Sequence, residues 1–284
     1  MTKKSDKPAW WSEEAGFFGP EYLRQYEGTI LSEEKTTQQV EFIRDTLNTR
    51  TAWRLGISPL KILDVPCGHG RHCIELALKG DYAVTGYELN QFFIEQAKAA
   101  ATAAEVRGFD SQTGYGEEDQ LQRLRFVHGD MRELPYEEEF HVALNLFTAM
   151  GYFEDDREDE KFFNAVFRSL KPGGVFLVDY LNRDRLMRNF SSNDYRRLPD
   201  ETVVLTERAY DPLKGTMYDF RQILWGGREI SSIRSSVRFY APHELVAMAA
   251  RSGFSFLEAW GDFDTSCRLT MDSPRAILLF QKPS

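Results

Sequence analysis

Apolar positions along this chain alternate between two spacings. Short solid runs, among them "KILDV", "YAVTGYE", "LRFVHGD" and "EEFHVALNLF", predict strands. Between them lie "RHCIELALKG", "NQFFIEQAKAAATAAEV" and "DREDEKFFNAVFRSL", whose apolar residues recur every three or four positions, as on one face of a helix. Strands in regular alternation with helices imply crossover connections and a parallel sheet. The same alternation continues through "KPGGVFLVDYLN", the helix "PHELVAMAARSGF" and two final strands, "SFLEAWGDF" and "RAILLFQK". The predicted class is α/β, with a doubly wound, mostly parallel seven-stranded sheet.

Three stretches depart from the pattern. "SEEKTTQQVEFIRDTL", 32–47, opens on a serine followed by acids, as helix starts do, and brings Val40, Phe42, Ile43 and Leu47 roughly to one face. "RGFDSQTGYGEEDQLQ", 107–122, is polar and reads as a loop inserted before the third strand. After residue 182, the β-rich runs "TVVLTERAY", "TMYDFRQILW" and "ISSIRSSVRFY" are separated by the turn signals "DPLKG" and "GGRE". They predict an antiparallel, three-stranded insert over 183–238. The organisation expected is an N-terminal aromatic segment, 1–31, whose first twenty residues pack late or stay mobile. The main domain then takes 32–182 and 239–284, interrupted by the insert.

With 42% hydrophobic residues the chain can bury a sizeable core, and its net charge of −9 argues against a general nucleic-acid binder. Three cysteines form neither a disulfide framework nor a paired zinc site, and no His-rich metal motif occurs, so no metal is expected. No signal-peptide core and no membrane-spanning run is visible, and a soluble cytoplasmic protein is the expectation.

The candidate chemistry begins in "ILDVPCGHGRH". In a doubly wound sheet ligands sit beyond the carboxyl ends of the strands, and Gly68 and Gly70 leave backbone free to approach one. An acid ends each of three successive strands. Asp64 stands where it suits a cationic amino group, Glu88 where it can accept both hydroxyls of a ribose, and Asp130 where it can accept from an exocyclic amine, with Met131 beside it as an apolar wall. Any one of them alone could be a surface residue. Together they describe a ligand with an amino acid at one end and adenosine at the other.

On these residues the chain resembles the class I S-adenosylmethionine-dependent methyltransferases of the small-molecule, bacterial-like type. The resemblance runs through the glycine turn, "VTGYELN", "GDMRELP", "NLFTAMGYF" and "LKPGGVFLVD", over roughly 40–182 and 239–282. Pro66 stands where the family's first glycine falls. The resemblance implies a Rossmann-like methyltransferase fold and S-adenosyl-L-methionine as cofactor, held by Asp64, Pro66, Cys67, Gly68, Gly70, Glu88, Leu89, Asp130, Met131, Asn145 and Leu146. Cys67 reads equally as a small semi-buried residue, and His69 and His72 as packing of the turn.

Asn145-Leu146-Phe147-Thr148 lacks the prolines of adenine and amide methylation motifs, and 140–153 lacks a cysteine nucleophile for pyrimidine carbon. The subclass stays open on these motifs; the expected acceptor is the nitrogen or oxygen of a small metabolite, enclosed between the insert and the N-terminal aromatics. Substrate-pocket candidates are Tyr152, Tyr180, Arg238, Tyr240 and His243, none of them singled out as a base. The pocket would be walled by the insert on one side and by Trp10, Trp11, Phe17, Phe18, Tyr22 and Tyr26 on the other. A homodimer formed through the insert is the competing use of that sheet. An NAD-dependent oxidoreductase is the rival enzyme, disfavoured by Cys73 at the third fingerprint glycine and by Asp64 near the phosphates. A non-catalytic cofactor-binding regulatory module is the other rival.

Overall fold

The computed structural model describes residues 9–12, 16–26, 30–50, 59–79, 82–106 and 123–284. The polar stretch 107–122 lies outside them. The main sheet has seven strands: β1 (Leu60–Asp64), β2 (Tyr82–Glu88), β3 (Leu124–His128), β4 (Phe140–Asn145), β5 (Leu170–Leu181), β10 (Ser255–Trp260) and β11 (Arg275–Gln281). Their order is β10-β11-β5-β4-β1-β2-β3. β11 runs antiparallel to both its neighbours and the other pairings are parallel. The central strands are largely buried because helices cover both faces, and every residue of β4 is buried.

On one face α2 (Glu33–Arg50), α3 (Arg71–Leu78) and α4 (Gln91–Ala103) bury Val40, Ile43, Leu76 and Ala97 against Ile62 and Val84. On the other, α5 (Asp156–Ser169) and α7 (Pro242–Arg251) bury Phe162, Phe163 and Leu245 against Phe176 and Phe280. Local signals set the helix starts. Asn90 Oδ1 accepts the Phe93 N–H at 3.3 Å, and Asp155 accepts the Arg157 N–H at 3.0 Å ahead of a first turn rich in acids. The strand order reverses between β1 and β4, and the crevice at that point opens at their carboxyl ends.

Two findings differ from the sequence reading. The insert holds a short helix, α6 (Arg183–Arg188), and four strands: β6 (Asn193–Arg197), β7 (Val203–Asp211), β8 (Thr216–Trp225) and β9 (Arg228–Arg238), in that spatial order. β6, "NDYRR", is exposed at every position, so it carries none of the apolar alternation by which strands are recognised. The second difference is α1 (Pro20–Tyr26), which with Trp10, Phe17 and Phe18 packs onto the main domain. Asn90 Nδ2 donates to Phe18 O at 2.7 Å and ties this segment to the start of α4.

Candidate active site

Beyond β1 the chain turns back on itself. Val65 N–H donates to Leu144 O at 2.9 Å, Cys67 N–H to Tyr87 O at 3.0 Å and Gly70 N–H to Cys67 O at 3.1 Å. Gly68 and Gly70 both lie in the left-handed region, at φ +55° and +78°. Their surroundings differ. A Cβ on Gly68 would meet nothing within 4 Å, whereas one on Gly70 would stand 2.8 Å from Ala97 Cβ and from the Phe126 ring. Gly68 lines a cavity; Gly70 does not, and its missing side chain lets α4 and β3 close against the turn.

Asp64, Glu88 and Asp130 all line this cavity. Asp64 is 1% exposed, and burial pushes its carboxyl up to about 7. Cys73 Sγ lies 3.2 Å from its Oδ2, while Oδ1 has no partner. An orphaned buried acceptor is costly, and the ammonium of an amino acid would satisfy it. Glu88 accepts the Gly68 N–H at 2.9 Å and the Asn90 N–H at 2.8 Å. Its carboxyl is raised, because burial outweighs those bonds. A carboxylate has about four lone-pair directions, so two remain for a vicinal diol. Burial alone would raise Asp130, but Arg132 outweighs it and holds the carboxyl below its usual range. Arg132 donates to both oxygens at 2.5–3.1 Å, so an adenine amine would compete with that guanidinium. The unpartnered Asp64 oxygen and the open space over Gly68 fit the residues to S-adenosylmethionine.

Pro66, Cys67, Leu89, Met131 and Leu146 also line the cavity. Asn145 does not. It is fully buried and its Nδ2 donates to Val65 O at 2.9 Å, binding β4 to the turn. Of the five substrate-pocket candidates only Tyr152 lines it. Tyr180 is fully buried with its hydroxyl donating to Arg238 O at 2.7 Å, and Tyr240 donates to Asp159 Oδ2 at 2.9 Å. Arg238 pairs with Glu244 at 2.6 Å and His243 is exposed on α7. Tyr180, Arg238 and Tyr240 fasten the end of the insert to β5, α5 and α7.

Sequence reasoning passed over Arg71 and Phe147 and took His69 as packing; all three line the cavity. Burial, aided by Arg71, pushes the His69 imidazole down to about 4. Phe147 and Thr148 are consecutive non-glycine residues at positive φ, 67° and 58°. Arg71 was legible only as the residue after the last glycine in "GHGR". From the N-terminal segment Trp11, Phe18, Tyr22 and Leu31 complete the lining. No residue of 183–238 is among the lining residues, which corrects the expectation that the insert walls the pocket. Instead it grips α1 from behind: Arg221 Nη1 donates to Tyr26 Oη at 3.0 Å, and Arg24 pairs with Asp200 and bonds Thr202. Among the described residues no cluster of His, Cys, Asp and Glu is placed to hold a metal ion.

Residues 62–174 match the model of the methyltransferase domain family. The matched stretch is a methyltransferase domain, and the match supports S-adenosylmethionine-dependent methyl transfer with S-adenosyl-L-methionine as the cofactor. YqeM of Bacillus subtilis (strain 168), a methyltransferase by name, is 24% identical over 78% of this chain and 84% of its own. In fold the chain resembles the CcbJ methyltransferase from Streptomyces caelestis, with a TM-score of 0.73 at 20% identity, covering 94% of this chain and 97% of that one. It also resembles CalS10, an amino pentose methyltransferase from Micromonospora echinaspora solved with S-adenosylmethionine bound. There the TM-score is 0.60 at 20% identity, over 92% and 95% of the two chains.

Proposed function

We propose that the methyl acceptor is the nitrogen or oxygen of a small metabolite, held beneath the N-terminal aromatic segment. The observation that carries this reading is that Trp11, Phe18 and Tyr22 line the same cavity as Gly68 and Glu88. A concave, largely aromatic wall suits a small acceptor with an apolar body. The acidic chain favours neither nucleic acid nor an anionic surface as partner, and a cytoplasmic location accords with the reduced cysteines. The domain division follows the same line: 32–182 and 239–284 bind the cofactor, 1–31 covers the acceptor, and 183–238 braces the cover.

The cofactor, when bound, supplies the electrophilic methyl group. The protein's part is to orient the acceptor and exclude water, and alignment alone can lower the barrier by roughly 7–11 kcal/mol. Burial raises the Tyr22 and Tyr152 phenols, so both stay protonated; Tyr152 donates to Thr148 O at 3.0 Å and its oxygen can accept from an N–H or O–H of the methyl acceptor. His69, held near 4, is a neutral but weak base. An amine attacks as the free base and sheds its proton afterwards, so it suits this cavity better than an alcohol that must first be deprotonated. CalS10, an amino pentose methyltransferase, lends support to a small acceptor that carries an amine. Incubating the protein with S-adenosylmethionine and panels of amines and alcohols, with detection of S-adenosylhomocysteine, tests the reading. Turnover on macromolecules alone would overturn it. On the insert, Trp225 and Ile230 are 61% and 55% exposed, which favours a second role for that sheet as a contact between two copies. Sedimentation of wild type against Trp225→Glu decides that.

A further inference from the structure

Asn90 bonds in three directions at once. Its N–H donates to Glu88 Oε1 at 2.8 Å, its Oδ1 accepts the Phe93 N–H at 3.3 Å, and its Nδ2 donates to Phe18 O at 2.7 Å. The residue is buried and lines the cavity. It stands between the acid that ends β2, the start of α4 and the N-terminal segment. The rings of that segment rest on the same helix start: Phe18 and Tyr22 meet the Phe93 ring edge-on, at centroid distances of 6.2 and 5.9 Å. Phe18 also reaches across to Tyr152, at 5.7 Å. Arg24 and Tyr26 bond instead to the insert, at Thr202 and Arg221. Asn90 thus ties the covering segment to the side of the cavity that holds Glu88.

We propose, on the reading that Glu88 accepts the ribose and the N-terminal segment covers the methyl acceptor, that Asn90 is a positioning residue coupling those two ends of the cavity. A diol on Glu88 tightens the hold of Asn90 on Phe18, and a docked Phe18 tightens the hold on the diol. The contacts between them are few. A diol donating to Glu88 favours the charged carboxylate, which is the stronger acceptor for the Asn90 N–H. That bond and the cap on Phe93 together fix the plane of the Asn90 amide, and Nδ2 then points at the Phe18 carbonyl. The Phe18 and Tyr22 rings follow the carbonyl and complete the wall beside Tyr152. Coupling of two binding events is reciprocal, so the methyl acceptor meets a finished pocket only when the cofactor is in place.

The test is hydrogen exchange and stopped-flow release with S-adenosylhomocysteine, on wild type, Asn90→Asp and Asn90→Ser. Both replacements keep an oxygen to cap α4 and the backbone N–H to Glu88, and neither has an amide nitrogen for Phe18. In the wild type the amides of α1 are expected to gain protection when S-adenosylhomocysteine binds. In both variants that gain should vanish while the first turn of α4 stays as protected as before, a split that a general loss of stability does not produce. S-adenosylhomocysteine should leave the variants roughly two- to tenfold faster, the effect of one neutral hydrogen bond. If α1 in the wild type is equally protected with and without ligand, the coupling is overturned. Ligand-dependent protection that survives in either variant, or an unchanged release rate, overturns the role of Asn90. Loss of α4 protection alongside that of α1 reduces Asn90 to a helix cap and overturns it as well. Failure of the wild type to bind S-adenosylhomocysteine would instead overturn the cofactor reading, and this role with it.

Discussion

The carboxylate of Asp179 accepts the backbone N–H of Phe147 at 2.8 Å. Its other oxygen accepts from Arg275 Nε at 2.6 Å, and its own carbonyl accepts the Thr148 N–H at 3.0 Å. Thr148 Oγ1 accepts in turn from Leu181 N–H and Arg275 Nη2. A β-branched residue at positive φ is strained, and such strain persists only where surrounding bonds over-determine it. Asp179→Ala removes the clamp and leaves a largely buried arginine unpaired. We expect a loss of about 3–5 kcal/mol in urea denaturation.

Glu88 supports the turn and faces the ligand at once. Glu88→Ala should weaken S-adenosylhomocysteine by about 1.5–3 kcal/mol, read by calorimetry. Glu88→Gln should fall between the two, because its amide nitrogen cannot accept from one of the Gly68 and Asn90 N–H groups.

The two turn glycines should fail in different assays. Gly70→Ala drives a Cβ into Ala97 and Phe126, so about 1–3 kcal/mol of stability should be lost while the folded fraction still binds ligand. Gly68→Ala points into open cavity space, and its effect should appear first as weakened S-adenosylhomocysteine binding. Paired denaturation and calorimetry separate them.

Asp64 gives the site a pH dependence. Burial raises its carboxyl from 3.8 to about 7. An ammonium partner favours the ionised form, so S-adenosylhomocysteine affinity should rise about tenfold per pH unit below 7 and level off above. Asp64→Asn should bind weakly and without that slope. For stability the sign is opposite. Between about pH 4 and 7 the unfolded chain has released this proton while the folded chain keeps it, so wild type loses stability relative to Asp64→Asn as pH rises through the window. His69 and His72, both lowered by burial, act the other way, and the comparison of the two proteins cancels them.

The alternation of strands and helices was legible because each element buries an apolar face, and the strand-end acids because a parallel sheet brings such ends together. What escaped the sequence is what depends on neighbours distant along the chain. Gly70 resembles Gly68 until Ala97 and Phe126 are seen against it. Tyr180 and Tyr240 have the composition of a pocket wall, yet their hydroxyls answer to Arg238 and Asp159 in the interior. β6 is held by its pairing with β7 and by little of its own character. Arg71 looked like one more helix-start residue, since its bonds to Thr36 and Gln39 on α2 have no signature in a string of letters.

The hydrogen bond from Tyr180 to the Arg238 carbonyl has a consequence for how this chain can change over time. It joins the end of β5 to the end of β9 at 2.7 Å, so the excursion between them leaves and returns through a closed neck. Lengthening or exchanging a loop whose ends are already pinned costs little, with each doubling of length adding only about 0.6 kcal/mol of closure entropy. The turn at Gly226 and Gly227, where an added Cβ would meet nothing within 4 Å, can therefore lengthen while the parent sheet keeps its register. The face that grips α1 can be rewritten without touching the turn that holds the cofactor.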